Sequence, residues 1–147
     1  DFDSDGTVVM GDYASGDFVL TGNQLGIGTT APASKLHVEG SVTSAITQTV
    51  DTSTAYTFVL GDQSNVVACV NGSAITATVP PNADVAFPLG AEIAIVQGGA
   101  GQVTITAGAG VTLAAADSEL KTRVIYSMAY LYQSSANSWI VAGDLTS

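Results

Sequence analysis

The sequence predicts an all-β protein, with a trimeric β-shaft or connector over residues 1–50 and a β-sandwich (jelly-roll-like) knob over residues 51–147. Three observations carry this. Val, Thr, Ile and Tyr, which suit a pleated and half-buried surface, recur in short runs. The 16 glycines fall between those runs as punctuation. Apolar residues alternate with period two and nowhere hold a 3.6-residue period beyond two turns.

Taken in order, residues 1–40 carry apolar pairs at i and i+2. These are Val8 and Met10, Phe18 and Leu20, Leu25 and Ile27, and Leu36 and Val38. Alternation puts each pair on one face of a short strand. Two such side chains per strand cannot close a core within one chain. The eight residues are therefore the expected interface of copies wrapped about a common axis, much as repeat units bury their faces only against neighbours. Residues 41–54 are polar and β-branched and read as an extended connector.

From residue 55 the expected strands are 56–60, 66–70, 74–79, 91–97, 102–107, 111–114, 123–133 and 139–143. Turn residues separate them: Gly61-Asp62, Asn71-Gly72, Pro80-Pro81-Asn82, Gly98-Gly99, Gly108-Ala109-Gly110 and the polar run at 134–138. The glycine clusters read as hairpin turns. Strands at this short, regular spacing suggest a sandwich or jelly roll. Pro80, Pro81 and Pro88 cannot donate ladder hydrogen bonds and belong in loops or at edges. Residues 113–120 are the best helical fragment, but short, and read as a loop.

Charge excludes several functions. Three basic residues face 13 acidic ones, a formal net charge of −10. Phosphate backbones and anionic membrane surfaces both call for clustered Lys and Arg, so neither nucleic-acid binding nor membrane binding is expected. No apolar run reaches the length of a membrane helix, and no signal peptide is visible. Charged residues make up only 11% against 46% hydrophobic. A chain this apolar is expected to bury surface against other chains. The single cysteine, Cys69, lies in an apolar run and reads as a buried, inert thiol. A chain without disulfides fits assembly in cytoplasm. The sequence begins at Asp1, as a processed product or part of a longer chain would.

Residues 25–40 read Leu-Gly-Ile-Gly-Thr-Thr-Ala-Pro-Ala-Ser-Lys-Leu-His-Val-Glu-Gly. This resembles a recurring element of bacteriophage tail-fibre and tailspike proteins. A second set of residues resembles the distal domain of phage fibres. It comprises Val79-Pro80-Pro81-Asn82, Phe87-Pro88-Leu89-Gly90, residues 101–105, residues 108–112 and the ending Trp139 to Leu145. The resemblance implies a homotrimeric, non-enzymatic virion component. It would have an elongated shaft, other virion proteins as neighbours, and a knob that meets a host cell-surface glycan or protein. A capsid-decorating head fibre and a fragment of a glycan-degrading tailspike are the alternatives. The self-cleaving chaperone domain that ends many such proteins has no counterpart in these residues.

Candidate sites are few. Asp1, Asp3, Asp5 and Asp12, with Gly6, have the spacing of a calcium loop. Asp12 stands where a glutamate would reach further, and an Asp-rich turn is the preferred reading. Calcium is thus the one candidate cofactor. His37, the only histidine, alternates with Leu36 and Val38, so it should point away from the axis. A lone histidine makes neither a metal site nor a triad. No catalytic residue is assigned, since the carboxylates at Asp62, Asp84, Glu92, Asp117, Glu119 and Asp144 mostly sit at turns or beside glycine. In the strand expected at 123–133, Val124, Tyr126, Met128, Tyr130 and Tyr132 share one face. Ile125, Ser127, Ala129, Leu131 and Gln133 share the other. Both faces are apolar enough to be covered, one by the core and one by a neighbouring subunit. Tyr130, Tyr132 and Trp139 are also candidates for stacking against a glycan, with packing preferred.

Overall fold

The computed structural model describes residues 46–147, together with 25–27, 31, 33, 34 and 36–38. The chain forms two compact units, Asp1–Ser44 and Ala45–Ser147. In the first, β1 (Leu25–Ile27) and β2 (Leu36–Val38) pair in parallel, with Leu25 opposite Leu36 and Ile27 opposite Val38. Val8, Met10, Phe18 and Leu20, like the candidate calcium ligands Asp1, Asp3, Asp5 and Asp12, lie outside the described residues.

The second unit is all-β. Its strands are β3 (Gln48–Asp51), β4 (Ala55–Thr57), β5 (Val66–Cys69), β6 (Ile75–Val79), β7 (Glu92–Gln97) and β8 (Val103–Ala107). Then follow β9 (Thr112–Ala115), β10 (Lys121–Thr122), β11 (Met128–Ser135), β12 (Ser138–Gly143) and β13 (Leu145–Thr146). They make a six-stranded sheet ordered β3-β5-β7-β11-β12-β9 and a five-stranded sheet ordered β13-β10-β8-β6-β4.

From β3 to β8 the chain crosses from one sheet to the other at every strand, and strands within each sheet run parallel. The result is three stacked coils: β3 with β4, β5 with β6, and β7 with β8. Antiparallel strands close the stack at the β7–β8 end, β11 and β12 in one sheet and β10 and β13 in the other. This winding is not that of a jelly roll, whose neighbouring strands are antiparallel.

The reason lies in the corners. Asn71-Gly72, expected as a turn, and residues 98–101, expected as a hairpin turn, turn the chain between sheets and stack on each other. The Gly101 N–H donates to the Asn71 carbonyl at 2.8 Å, and the Asn71 side chain donates to the Thr52 carbonyl at 2.6 Å one coil further on. A Cβ on Gly101 would lie 1.8 Å from the Ser73 carbonyl oxygen, so only glycine allows corners this close.

The core lies between the sheets. Val67, Ile93, Ile95, Leu131 and Val141 face Ile75, Ala77, Val79, Val103 and Ile105, all 2% exposed or less. Trp139 is buried with them, edge-on to Phe87 at 5.3 Å between ring centroids. Buried polar groups find partners. Thr122 donates its hydroxyl to the Gln97 side chain at 2.5 Å and accepts from the Val103 N–H at 2.9 Å.

The first coil is pinned by Asp62. Its carboxylate, 1% exposed, accepts from the Tyr56 hydroxyl at 2.8 Å and from the Val59 N–H at 2.8 Å. Burial first, and then the Asp62 carboxylate, push the Tyr56 phenol well above its ordinary pKa.

Two expectations are corrected in detail. The strand expected from residue 123 begins at Met128. Residues 124–127 form a turn in which Ser127 Oγ accepts from the Val124 N–H and Tyr126 adopts φ 71°. Residues 113–120 hold a strand, β9, followed by a single 3-10 turn at Ala116–Ser118.

Candidate interaction surface

The two sheets turn unlike faces outward. On the five-stranded sheet, Ile75, Ala77, Val103 and Ile105 point inward, and alternation sends Thr76, Thr78, Thr104 and Thr106 out. Register aligns Thr57, Thr78 and Thr106 across three strands, and the hydroxyls of Thr78 and Thr106 lie 3.1 Å apart. This face is polar and suited to water.

The six-stranded sheet is the opposite. Its inward residues are core, yet its outward residues are also apolar. One cross-strand row runs Val50, Ala68, Val96, Met128. The next runs Gln48, Val66, Ala94, Tyr130, Ala142, and a third runs Glu92, Tyr132, Ile140, Ala114. Tyr130 is 55% exposed, Tyr132 43% and Ile140 47%. Among the outward positions of these rows, Glu92 alone is charged. A row of this kind would alternate with polar side chains if it faced only water.

The face has relief. Around Tyr130 lies a shallow groove of about 320 Å³, bordered by Ile46, Val66, Ala94 and Met128, with Ser64, Asn65 and Glu92 at its polar side. At the β9 edge of the sheet lies a larger groove of about 570 Å³, lined by Ala114, Ala116, Ile140, Val141 and Ala142 and, from β13 of the other sheet, by Leu145.

Of the three aromatic candidates, the structure brings Tyr130 and Tyr132 together on this face and removes Trp139 to the core. The correction has a simple cause. Trp139 pairs with Gln133 and shares the inward side with Val141, whereas Ile140 between them is outward. The alanines of the larger groove were not legible as a site, because alanine on a strand carries no signal until its cross-strand neighbours are known.

Other functional groups are engaged locally. Arg123 makes a bidentate pair with Asp144, Nε to Oδ1 at 2.7 Å and Nη2 to Oδ2 at 2.9 Å, and Ser127 Oγ donates to the same carboxylate at 2.6 Å. The Arg123 guanidinium, then the Ser127 hydroxyl, hold the Asp144 carboxyl below the usual carboxylate range. The Cys69 thiol is buried and pushed up to about 11, first by burial and then by the Asp51 charge. Among the described residues, no three or more His, Cys, Asp or Glu side chains gather as metal ligands would, and no helix is long and apolar enough to cross a membrane. Comparison with protein-family models, with curated proteins and with solved structures gave no match.

Proposed function

We propose that this chain is a non-enzymatic structural fibre component of a phage virion, a homotrimer whose β-sandwich knob at residues 51–147 serves host-surface attachment. The observation that carries the reading is the largely apolar outer face of the six-stranded sheet, whose outward rows hold Glu92 as their one charge, set against a threonine-covered face on the other sheet. A monomer gains nothing by exposing the first, since a contiguous apolar patch marks an interaction site. A net charge of −10 keeps separate particles apart while one neutral face lets copies meet. The resemblance of residues 25–40 and of the C-terminal segments to phage fibres supports the particle context. Three knobs on one axis would bind a repetitive host surface with avidity even where each contact is weak.

The test is location and adsorption. An antibody against the chain is applied to phage particles produced by cells carrying this sequence, and the purified chain is offered as a competitor for adsorption. Labelling at the tips of tail appendages together with slowed adsorption is the expected result. Labelling over the capsid would replace this reading with a head fibre. Release of oligosaccharide from host surface polymer by the purified chain would replace it with a glycan-degrading spike. Absence from the particle would end it.

A further inference from the structure

We infer that copies of this chain meet through two unlike patches, the Tyr130 and Tyr132 side chains of one copy entering the alanine-lined groove at the β9 edge of the next. This rests on the homotrimer reading and specifies its contact. A closed ring of three needs a heterologous contact, in which one patch meets a different patch on the neighbour; an isologous contact closes at two. The six-stranded sheet carries two such patches, one on its outer face and one at its β9 edge, where Leu145 of the other sheet joins the lining. Tyr130 and Tyr132 stand out from β11, half-exposed, with apolar bodies and polar tips. At that edge, across β12 and β9, the small side chains of Ala114, Ala116 and Ala142 border a groove of about 570 Å³ together with Ile140, Val141 and, from β13, Leu145.

Charge favours another copy as occupant. The chain carries −10, so like copies repel over most of their surface. On this face the outward rows contain one charge, Glu92, and the groove has one at its lining, Glu119. A basic partner would find little here to pair with, whereas a second copy presents a matching neutral face.

Cysteines placed on the two patches test this. In one chain, positions 130 and 114 lie two strands and two residues apart, roughly 10 Å or more, beyond the ~7 Å that a disulfide spans. The double variant Tyr130→Cys with Ala114→Cys can therefore close disulfides only between copies, and Cys69 is buried away from it. After mild oxidation, the expected product is a covalent three-chain species on non-reducing gels, with neither single variant linking. A second variant, Ala142→Trp, fills the groove without touching the core. It should weaken assembly by at least about tenfold in dissociation constant, with an unchanged circular dichroism spectrum. A two-chain covalent product would overturn the ring. A native trimer that neither cross-links nor responds to Ala142→Trp would overturn the contact and leave the homotrimer standing. A parent chain that is monomeric in solution would overturn the homotrimer itself.

Discussion

Removing the Asp62 carboxylate should loosen the first coil by a predictable amount. Asp62 is 1% exposed, and its charge is held by two strong donors, the Tyr56 hydroxyl and the Val59 N–H, each at 2.8 Å. A hydrogen bond to a charged group contributes about 1.5–3 kcal/mol. Asp62→Ala removes both acceptors and should cost about 3–5 kcal/mol. Tyr56→Phe removes one donor and should cost about 1.5–3 kcal/mol. Because the Tyr56 hydroxyl is placed to serve Asp62, the two losses overlap. In the Asp62→Ala background, Tyr56→Phe should cost less than about 0.5 kcal/mol, leaving a coupling energy of about 1–3 kcal/mol. The assay is urea unfolding of the four proteins at one fixed protein concentration, so that assembly shifts all of them equally. Additive losses, with coupling below about 0.5 kcal/mol, would refute the claim that this pair pins the coil.

Other outcomes follow from the same coordinates. Gly101→Ala puts a Cβ 1.8 Å from the Ser73 carbonyl and should cost about 3 kcal/mol or more in urea unfolding, while Gly72→Ala, with open space around it, should stay within about 0.5 kcal/mol. Trp139→Ala empties a site that is 2% exposed and edge-on to Phe87, and should cost about 3–5 kcal/mol by the same measurement. The Cys69 thiol should resist alkylation at pH 8 until the chain unfolds, as followed by mass spectrometry, being both buried and pushed up to about 11. Its folded pKa lies above the unfolded value near 8.5, so its share of stability is fully present below that pH and is lost as pH rises toward 11. Tyr56 acts in the same direction from pH ~10 upward, so the urea midpoint should fall on the alkaline side.

Much of the strand content was legible because alternation is local. The runs at 66–70, 74–79, 91–97 and 102–107 each contain an observed strand, and alternation separated Ala129 and Leu131, which face inward, from Tyr130 and Tyr132, which face outward. The order of the strands was not legible. Asn71-Gly72 and Gly98-Gly99 have the composition of a hairpin turn, yet they serve as stacked corners between parallel coils. The same residues supply tight backbone conformations in both settings, and what decides between them is contact with a coil roughly thirty residues away. Trp139 was left open between packing and glycan contact for a related reason. Trp139, Ile140 and Val141 are all apolar, so alternation does not say which of them faces the core until pairing with β11 fixes the register. Asp62 looked like a turn residue and is one, but its burial depends on Tyr56 reaching across the coil.

The most direct test is the mass of the native assembly, by light scattering during size-exclusion chromatography at micromolar concentration. The expected mass is three times the 14.7 kDa of the chain, and it should fall when the outer face of the six-stranded sheet is altered. A single species at 14.7 kDa would contradict the homotrimer and leave that apolar face without the partner proposed for it.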